Sequence, residues 1–193
     1  NTTFEAMRNF STQINESTIL EKLKLDSKGY ILVTAHRSEN VDNIDNLKII
    51  IDSCGKVAKR FKRQVIYPMH PRTKSRLRYL DIPPDVQIMD PLGFYDFNHL
   101  LKESYCVLSD SGTAAEEGLF YKVPNVSLRM ATERPETIES GATIVSGMNV
   151  DNIVASVETA VSLPWSARYE LEEGFSPSSV VINAIRTQIT NFF

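Results

Sequence analysis

Cysteine and histidine are scarce, with two and three residues in 193. Cys54 and Cys106 form no CxxC pair and stand in apolar periodic segments, so no zinc ribbon or disulfide framework is indicated; they read as reduced core thiols. The chain has no GxGxxG, no GxxxxGK[ST] and no GxSxG. It therefore lacks the sequence support of a standard dinucleotide fold, a P-loop enzyme or a nucleophile-elbow hydrolase. No His/Cys/carboxylate cluster suggests a metal, and no cofactor is expected. Long apolar runs are missing as well: the longest candidates break at Lys48 and Asp52 or at Gly147, so no membrane span is predicted. Residues 1–8 are too polar for a secretory leader, and the expected location is cytoplasmic. Positive charge is not in excess; the net charge of -3 argues against a nucleic-acid partner.

What is present is a globular composition, 42% hydrophobic and 23% charged, arranged in two alternating periods. Short apolar runs at residues 30–35, 65–69, 86–89, 105–108, 126–128 and 142–145 read as buried strands. Helical spacing fills the gaps at residues 47–61, 73–80, 97–103, 113–120, 134–140 and 150–161. The clearest stripe is Leu47, Ile50, Ile51, Cys54, Val57, Ala58 and Phe61. Strands alternating with helices at this spacing predict an α/β, doubly wound parallel sheet of Rossmann-like type. The expected organisation is a helical lead-in over residues 1–28, the sheet domain over 29–176, and a C-terminal helix over 177–193, entered after Pro164 and a turn over 174–177. The opening is helix-like and lacks a Met, so the chain reads as a fragment.

Ligands of open parallel sheets bind beyond the carboxyl ends of the strands. That rule singles out Thr34-Ala35-His36-Arg37, His70-Pro71-Arg72, the segment from Asp90 to Phe94, and Ser109-Asp110-Ser111-Gly112-Thr113. In the last, a strand gives way to a helix through Gly112, which frees the backbone to turn sharply and approach a ligand. The N–H groups of Ser111, Gly112 and Thr113 would converge on a pyrophosphate. Glu117, one turn on, would accept two hydrogen bonds from a ribose diol. The competing reading is a capping box over Thr113-Ala114-Ala115-Glu116, which needs no ligand. His36 and Arg37 are a candidate proton donor and anion clamp; a structural histidine is the alternative. Arg134 is a candidate phosphate clamp, or else a partner of Glu133 or Glu136. Phe94, Tyr95 and Phe97 line either a base pocket or the core. His70 and His99 are weaker candidates.

Four segments in order carry a resemblance: residues 33–40 (VTAHRSEN), 67–73 (YPMHPRT), 108–117 (LSDSGTAAEE) and 132–136 (TERPE). Together they resemble the signatures of non-hydrolysing UDP-N-acetylglucosamine 2-epimerases, and the likeness runs nearly the length of the chain. The resemblance implies the C-terminal lobe of a two-lobed, glycosyltransferase-B-like fold. It implies that His36 contacts substrate and acts in catalysis, and that Ser111, Gly112 and Thr113 form the pyrophosphate-binding turn. Glu117 would hold the ribose and Arg134 would lie near the phosphates. Leu92, Phe94 and Phe97 would bind uracil. The implied reaction removes the C2 proton and expels UDP, leaving a glycal to which UDP adds back. Its proton-transferring carboxylates belong to an N-terminal lobe that this chain lacks, so the fragment alone is expected to bind UDP weakly and not to turn over. The implied partners are a UDP-sugar, the other lobe, and a second copy in a full-length homodimer; the implied role is in surface polysaccharide synthesis.

The chain departs from the family at Thr113, where a second glycine is common, and at Ser38, where many bacterial members carry an arginine of a regulatory site. The SDSGT wording and the GFYD segment at residues 93–96 also resemble a sister group that epimerises a UDP-linked 2-acetamido-2,6-dideoxy-talose to make UDP-fucosamine. Further alternatives are a glycosyltransferase of the same fold, a hydrolysing relative, and a non-catalytic nucleotide-sugar-binding lobe.

Overall fold

Strands that are apolar on both faces must be covered on both faces. The computed structural model describes residues 2–163 and 176–190, and it satisfies that requirement with one sheet between two helical layers. The strands are β1 (Tyr30–Thr34), β2 (Gln64–Pro68), β3 (Val86–Met89), β4 (Cys106–Ser109), β5 (Asn125–Ser127) and β6 (Thr143–Val145). Every pairing is parallel and the spatial order is β3-β2-β1-β4-β5-β6. The expected doubly wound, Rossmann-like α/β architecture is therefore present. The order reverses between β1 and β4, and a crevice opens beyond their carboxyl ends at such a reversal.

The lead-in is three short helices, α1 (Thr2–Asn9), α2 (Ser11–Asn15) and α3 (Ile19–Leu23). After β1 come α4 (Ser38–Val41) and α5 (Ile44–Phe61); after β2, α6 (Pro71–Lys74) and a 3-10 turn (Ser75–Tyr79). Then follow α7 (Phe94–Glu103), α8 (Gly112–Tyr121), α9 (Pro135–Glu139), α10 (Val150–Ser162) and α11 (Pro177–Thr190). The single helix expected over residues 73–80 is instead α6 and the 3-10 turn. None of residues 75–79 is buried, so no apolar face holds a longer α-helix in place. Parts of the expected turn before α11, residues 174 and 175, and of the expected helix end, residues 191–193, lie outside the described residues.

Side chains alternate across β1, and so divide between two cores. Ile31 and Val33 join Leu47, Ile50 and Val57 of α5 and Ile153 and Val157 of α10. Tyr30 and Leu32 join Ile19 of α3, Leu100 and Leu101 of α7 and Ala114 of α8. The Tyr30 hydroxyl donates to the Leu100 carbonyl at 2.6 Å, which satisfies its one buried polar group. Asn43 caps α5, accepting from the N–H groups of Asp45 and Asn46. Gly55 lets α5 lie against Pro83: a Cβ there would stand 2.6 Å from Pro83 Cγ. Cys54 and Cys106 are buried free thiols, and burial pushes both up to about 12. Among the described residues no helix is long and apolar enough to cross a membrane, and no three His, Cys, Asp or Glu residues group to hold a metal.

Candidate functional site

The turns after β1 and β4 are tied together by a carboxylate. Asp110 is fully buried. It accepts the His36 N–H through both oxygens (3.0 and 3.1 Å), the Arg37 N–H (3.0 Å) and the Asn40 side-chain amide (3.0 Å). Its own carbonyl accepts from Arg37 Nε at 2.9 Å. Asn40 donates in addition to the Leu128 carbonyl beyond β5. Three donors make four hydrogen bonds to this one buried carboxylate, which satisfies the polar atoms that burial removes from water. They fix the chain direction at the switch point. The His36 ring is left facing outward, its side chain 59% exposed and its Nδ1 3.8 Å from Asp110.

The β4–α8 turn places the start of a ten-residue helix beside that hub. Ser111 is the N-cap: its hydroxyl accepts from the Ala114 N–H, and its own N–H donates to Ser109 Oγ. The capping box expected at Thr113 is therefore not formed, because Thr113 already lies inside the helix. Glu116 is released from that box. It reaches instead to Arg134, with Oε1 2.7 Å from Nε, while Oε2 accepts from the Thr3 hydroxyl. The Arg134 N–H does not point along the short line to Glu116, so the contact is an ion pair and not a hydrogen bond. Neither Glu133 nor Glu136 is the ion-pair partner of Arg134.

Among the described residues nothing accepts from the N–H groups of Gly112 and Thr113. These are orphan donors of a helix end, carrying the positive end of its dipole. Gly112 has no left-handed backbone, so the turn does not need glycine for its conformation. A Cβ at Gly112 would lie 3.5 Å from Glu133 Oε1 and 3.6 Å from Arg134 Cγ and Nε. Those are ordinary van der Waals separations, so Glu133 and Arg134 lie close beside the first residue of the helix.

Glu117 is buried one turn further along, 6% exposed, and no described group hydrogen-bonds to its carboxyl. Burial, and then the neighbouring Glu116 charge, push its carboxyl up to about 7. The nearby Tyr121 hydroxyl is also buried without a partner. The Glu117 carboxyl in the middle of α8 and the Tyr121 hydroxyl at its last residue both leave hydrogen bonds unmade.

The aromatic candidates separate. Phe94 and Tyr95 are exposed at the start of α7 and pack with Phe10 from the lead-in. Phe97 and Leu92 are half-buried against the core that holds Ala114 of α8. His70 caps α6, its Nδ1 accepting from the Arg72 N–H. His99 Nδ1 lies 2.7 Å from the Ile14 carbonyl and ties α7 to α2. Both therefore have structural roles. The sequence reading placed Asp110 in a candidate turn and Glu116 in a capping box, but it gave Asp110, Asn40, Glu116 and Arg129 no role in the site.

The sequence model of the UDP-N-acetylglucosamine 2-epimerase family matches residues 1–174. This chain belongs to that family. A UDP-N-acetylglucosamine 2-epimerase of Methanocaldococcus jannaschii is 38% identical over 158 residues, covering 79% of this chain and 43% of the relative. A UDP-2,3-diacetamido-2,3-dideoxy-D-glucuronate 2-epimerase of Pseudomonas aeruginosa is 35% identical over 133 residues, covering 69% of this chain and 37% of the relative. The crystal structure of the M. jannaschii enzyme in complex with UDP-GlcNAc and UDP superposes with a TM-score of 0.83 at 31% identity, over 97% of this chain and 53% of that one. The chain thus spans about half the length, or less, of the family members it matches.

Proposed function

We propose that this chain is the nucleotide-binding, C-terminal half of a sugar-nucleotide 2-epimerase that interconverts UDP-GlcNAc and UDP-ManNAc for surface polysaccharide synthesis. One observation carries the reading: at the switch point, the N–H groups of Gly112 and Thr113 have no acceptor among the described residues, Arg134 lies beside Gly112, and the buried Glu117 carboxyl follows one turn on. That is a cradle for a diphosphate followed by a ribose. Family membership and the UDP complex of the M. jannaschii relative support the choice of nucleotide.

In the proposed reaction the C2 proton is removed and the C1–O bond to UDP breaks, giving a glycal and free UDP. UDP then adds back while the proton returns to the opposite face. Negative charge develops on the departing β-phosphate. Helix N–H groups and a guanidinium already in place stabilise it without having to reorganise. His36, outward-facing at the end of β1, contacts the sugar. Leu92, Phe94 and Phe97 supply the wall for uracil. The carboxylates that move the proton come from the other half of the enzyme, so this chain alone binds UDP weakly and does not turn over. In the full-length enzyme, a homodimer in this reading, the test is UDP-GlcNAc in deuterated water. Deuterium at C2, together with a growing UDP-ManNAc signal, is the expected result. UDP-GlcNAc recovered without C2 exchange would refute the assignment.

A second sugar remains in play because the P. aeruginosa relative is named for epimerisation of a C3- and C6-modified substrate. The same C2 chemistry applies there, and to UDP-2-acetamido-2,6-dideoxy-talose as well. Exchange with one of those sugars and not with UDP-GlcNAc would move the assignment within the family.

A further inference from the structure

Glu133 was weighed in the sequence only as a partner for Arg134, yet its carboxylate makes a different set of contacts. Oε1 accepts from Arg37 Nη2 at 3.1 Å and Oε2 from Arg129 Nη1 at 2.6 Å. The same Oε1 lies 3.5 Å from where a Gly112 Cβ would be, above the end of α8 whose N–H groups have no acceptor. An anion held by two guanidiniums over a helix N-terminus occupies the arrangement that recognises phosphate. The three cations that border this space are all committed: Arg37 and Arg129 to Glu133, and Arg134 to Glu116. Arg37 is further fixed by Nε to the Asp110 carbonyl, so its guanidinium cannot swing far when Glu133 leaves. The Arg129 guanidinium, hydrogen-bonded to Glu133, holds the Glu133 carboxyl below the usual carboxylate range, so this anion stays charged at neutral pH.

We propose that Glu133 is an internal stand-in for the nucleotide's diphosphate: its carboxylate engages Arg37 and Arg129, and a bound diphosphate displaces it and takes over both guanidiniums. The proposal rests on the nucleotide-binding reading above and adds an affinity-setting residue to it. Glu133 is half-exposed, its side chain 48% accessible, and has room to leave. Both ion pairs share this half-exposed carboxylate, so water reaches each from the Glu133 side, which weakens them and makes them exchangeable. Glu133 holds the two guanidiniums close together, at the expense of some affinity.

The sign of the effect separates this role from simple support. If Glu133 only braced Arg37 and Arg129, its loss would loosen them and weaken UDP binding. If it competes with phosphate, neutralising it strengthens binding. The experiment is calorimetric titration of the wild-type chain and Glu133→Gln with UDP and with inorganic pyrophosphate, with circular dichroism to compare folding. The amide keeps the shape and removes the charge. The expected result is roughly fivefold tighter binding of both probes by Glu133→Gln, the scale set by two solvent-screened ion pairs. Wild-type binding that is unchanged or weakened in Glu133→Gln would overturn the stand-in role and leave the nucleotide site intact. Absence of binding by both proteins would overturn the nucleotide-binding reading, and the stand-in with it. Binding by Glu133→Gln where the wild type binds neither probe would support both.

Discussion

Asp110 receives the main-chain N–H of His36 on both of its carboxylate oxygens, at 3.0 and 3.1 Å, from a position with no solvent exposure. The β1 and β4 turns are held at one separation by that contact, and they carry His36, Arg37, Ser111, Gly112 and Thr113. Removing the carboxylate in Asp110→Ala leaves the N–H groups of His36 and Arg37 and the Asn40 amide without an acceptor. Unsatisfied buried donors cost about 1–3 kcal/mol each before relaxation. A loss of roughly 3 kcal/mol in urea unfolding is expected, with a smaller loss for Asp110→Asn, which keeps one acceptor oxygen. A variant within about 0.5 kcal/mol of wild type, the usual range of a surface change, would show that the hub does not organise the turns.

Glu117 sets a pH dependence whose direction follows from its environment. Its carboxyl rises from 4.5 to about 7, by burial first and the Glu116 charge second. The folded chain therefore holds the proton more tightly than the unfolded chain between those values. Stability from this group is fully present below pH 4.5 and is lost as pH rises through 7. The difference amounts to about 3 kcal/mol at pH 8. Glu117→Gln should therefore unfold at higher urea than wild type at pH 8 and at the same urea near pH 4.5. Equal midpoints at pH 8 would mean that the carboxylate is not desolvated in the folded chain.

Both thiols are buried, and burial pushes each up to about 12. A thiol is nucleophilic only as thiolate. Neither Cys54 nor Cys106 should react with an aromatic disulfide reagent at pH 8 until the chain is unfolded in urea, when two equivalents should react. Rapid reaction in the native state would place at least one of them at the surface.

Three lysines, Lys24, Lys62 and Lys122, end α3, α5 and α8 in the left-handed conformation. That geometry strains a residue with a Cβ and suits glycine. Lys62→Gly closes the longest helix and should raise stability by about 0.5–1 kcal/mol in urea unfolding. A loss of stability would show that the Lys62 side chain contributes more than its backbone conformation costs.

The sheet was legible because a parallel strand covered on both faces is a continuous apolar run, and six such runs occur between amphipathic stretches. β1, from Tyr30 to Thr34, is buried along nearly its whole length, so its sequence carries no ambiguity about which face is in. The switch-point turns were legible for a topological reason: strand ends in this architecture are where ligands bind. The bonds that shape the site were not legible. Asp110 meets His36 across 74 positions, Arg37 meets Glu133 across 96, and Thr3 meets Glu116 across 113. A local pattern does not register partners at such separations. The helix start shows the limit at short range: Ser111 and Thr113 both have the chemistry of a cap. The N–H of Ser111, taken up by Ser109 Oγ, goes with the earlier start. Glu116 is thereby left for Arg134, a pairing that neither local reading contained.

The central claim is that the crevice between β1 and β4 binds a uridine diphosphate through Arg134 and Glu117. It is tested most directly by calorimetric titration of this chain with UDP, repeated on Arg134→Ala and Glu117→Ala. Saturable binding that each substitution weakens by about tenfold or more, the scale of one charge-assisted hydrogen bond, is the predicted result. Absence of binding at millimolar UDP, or binding that neither substitution alters, would contradict it.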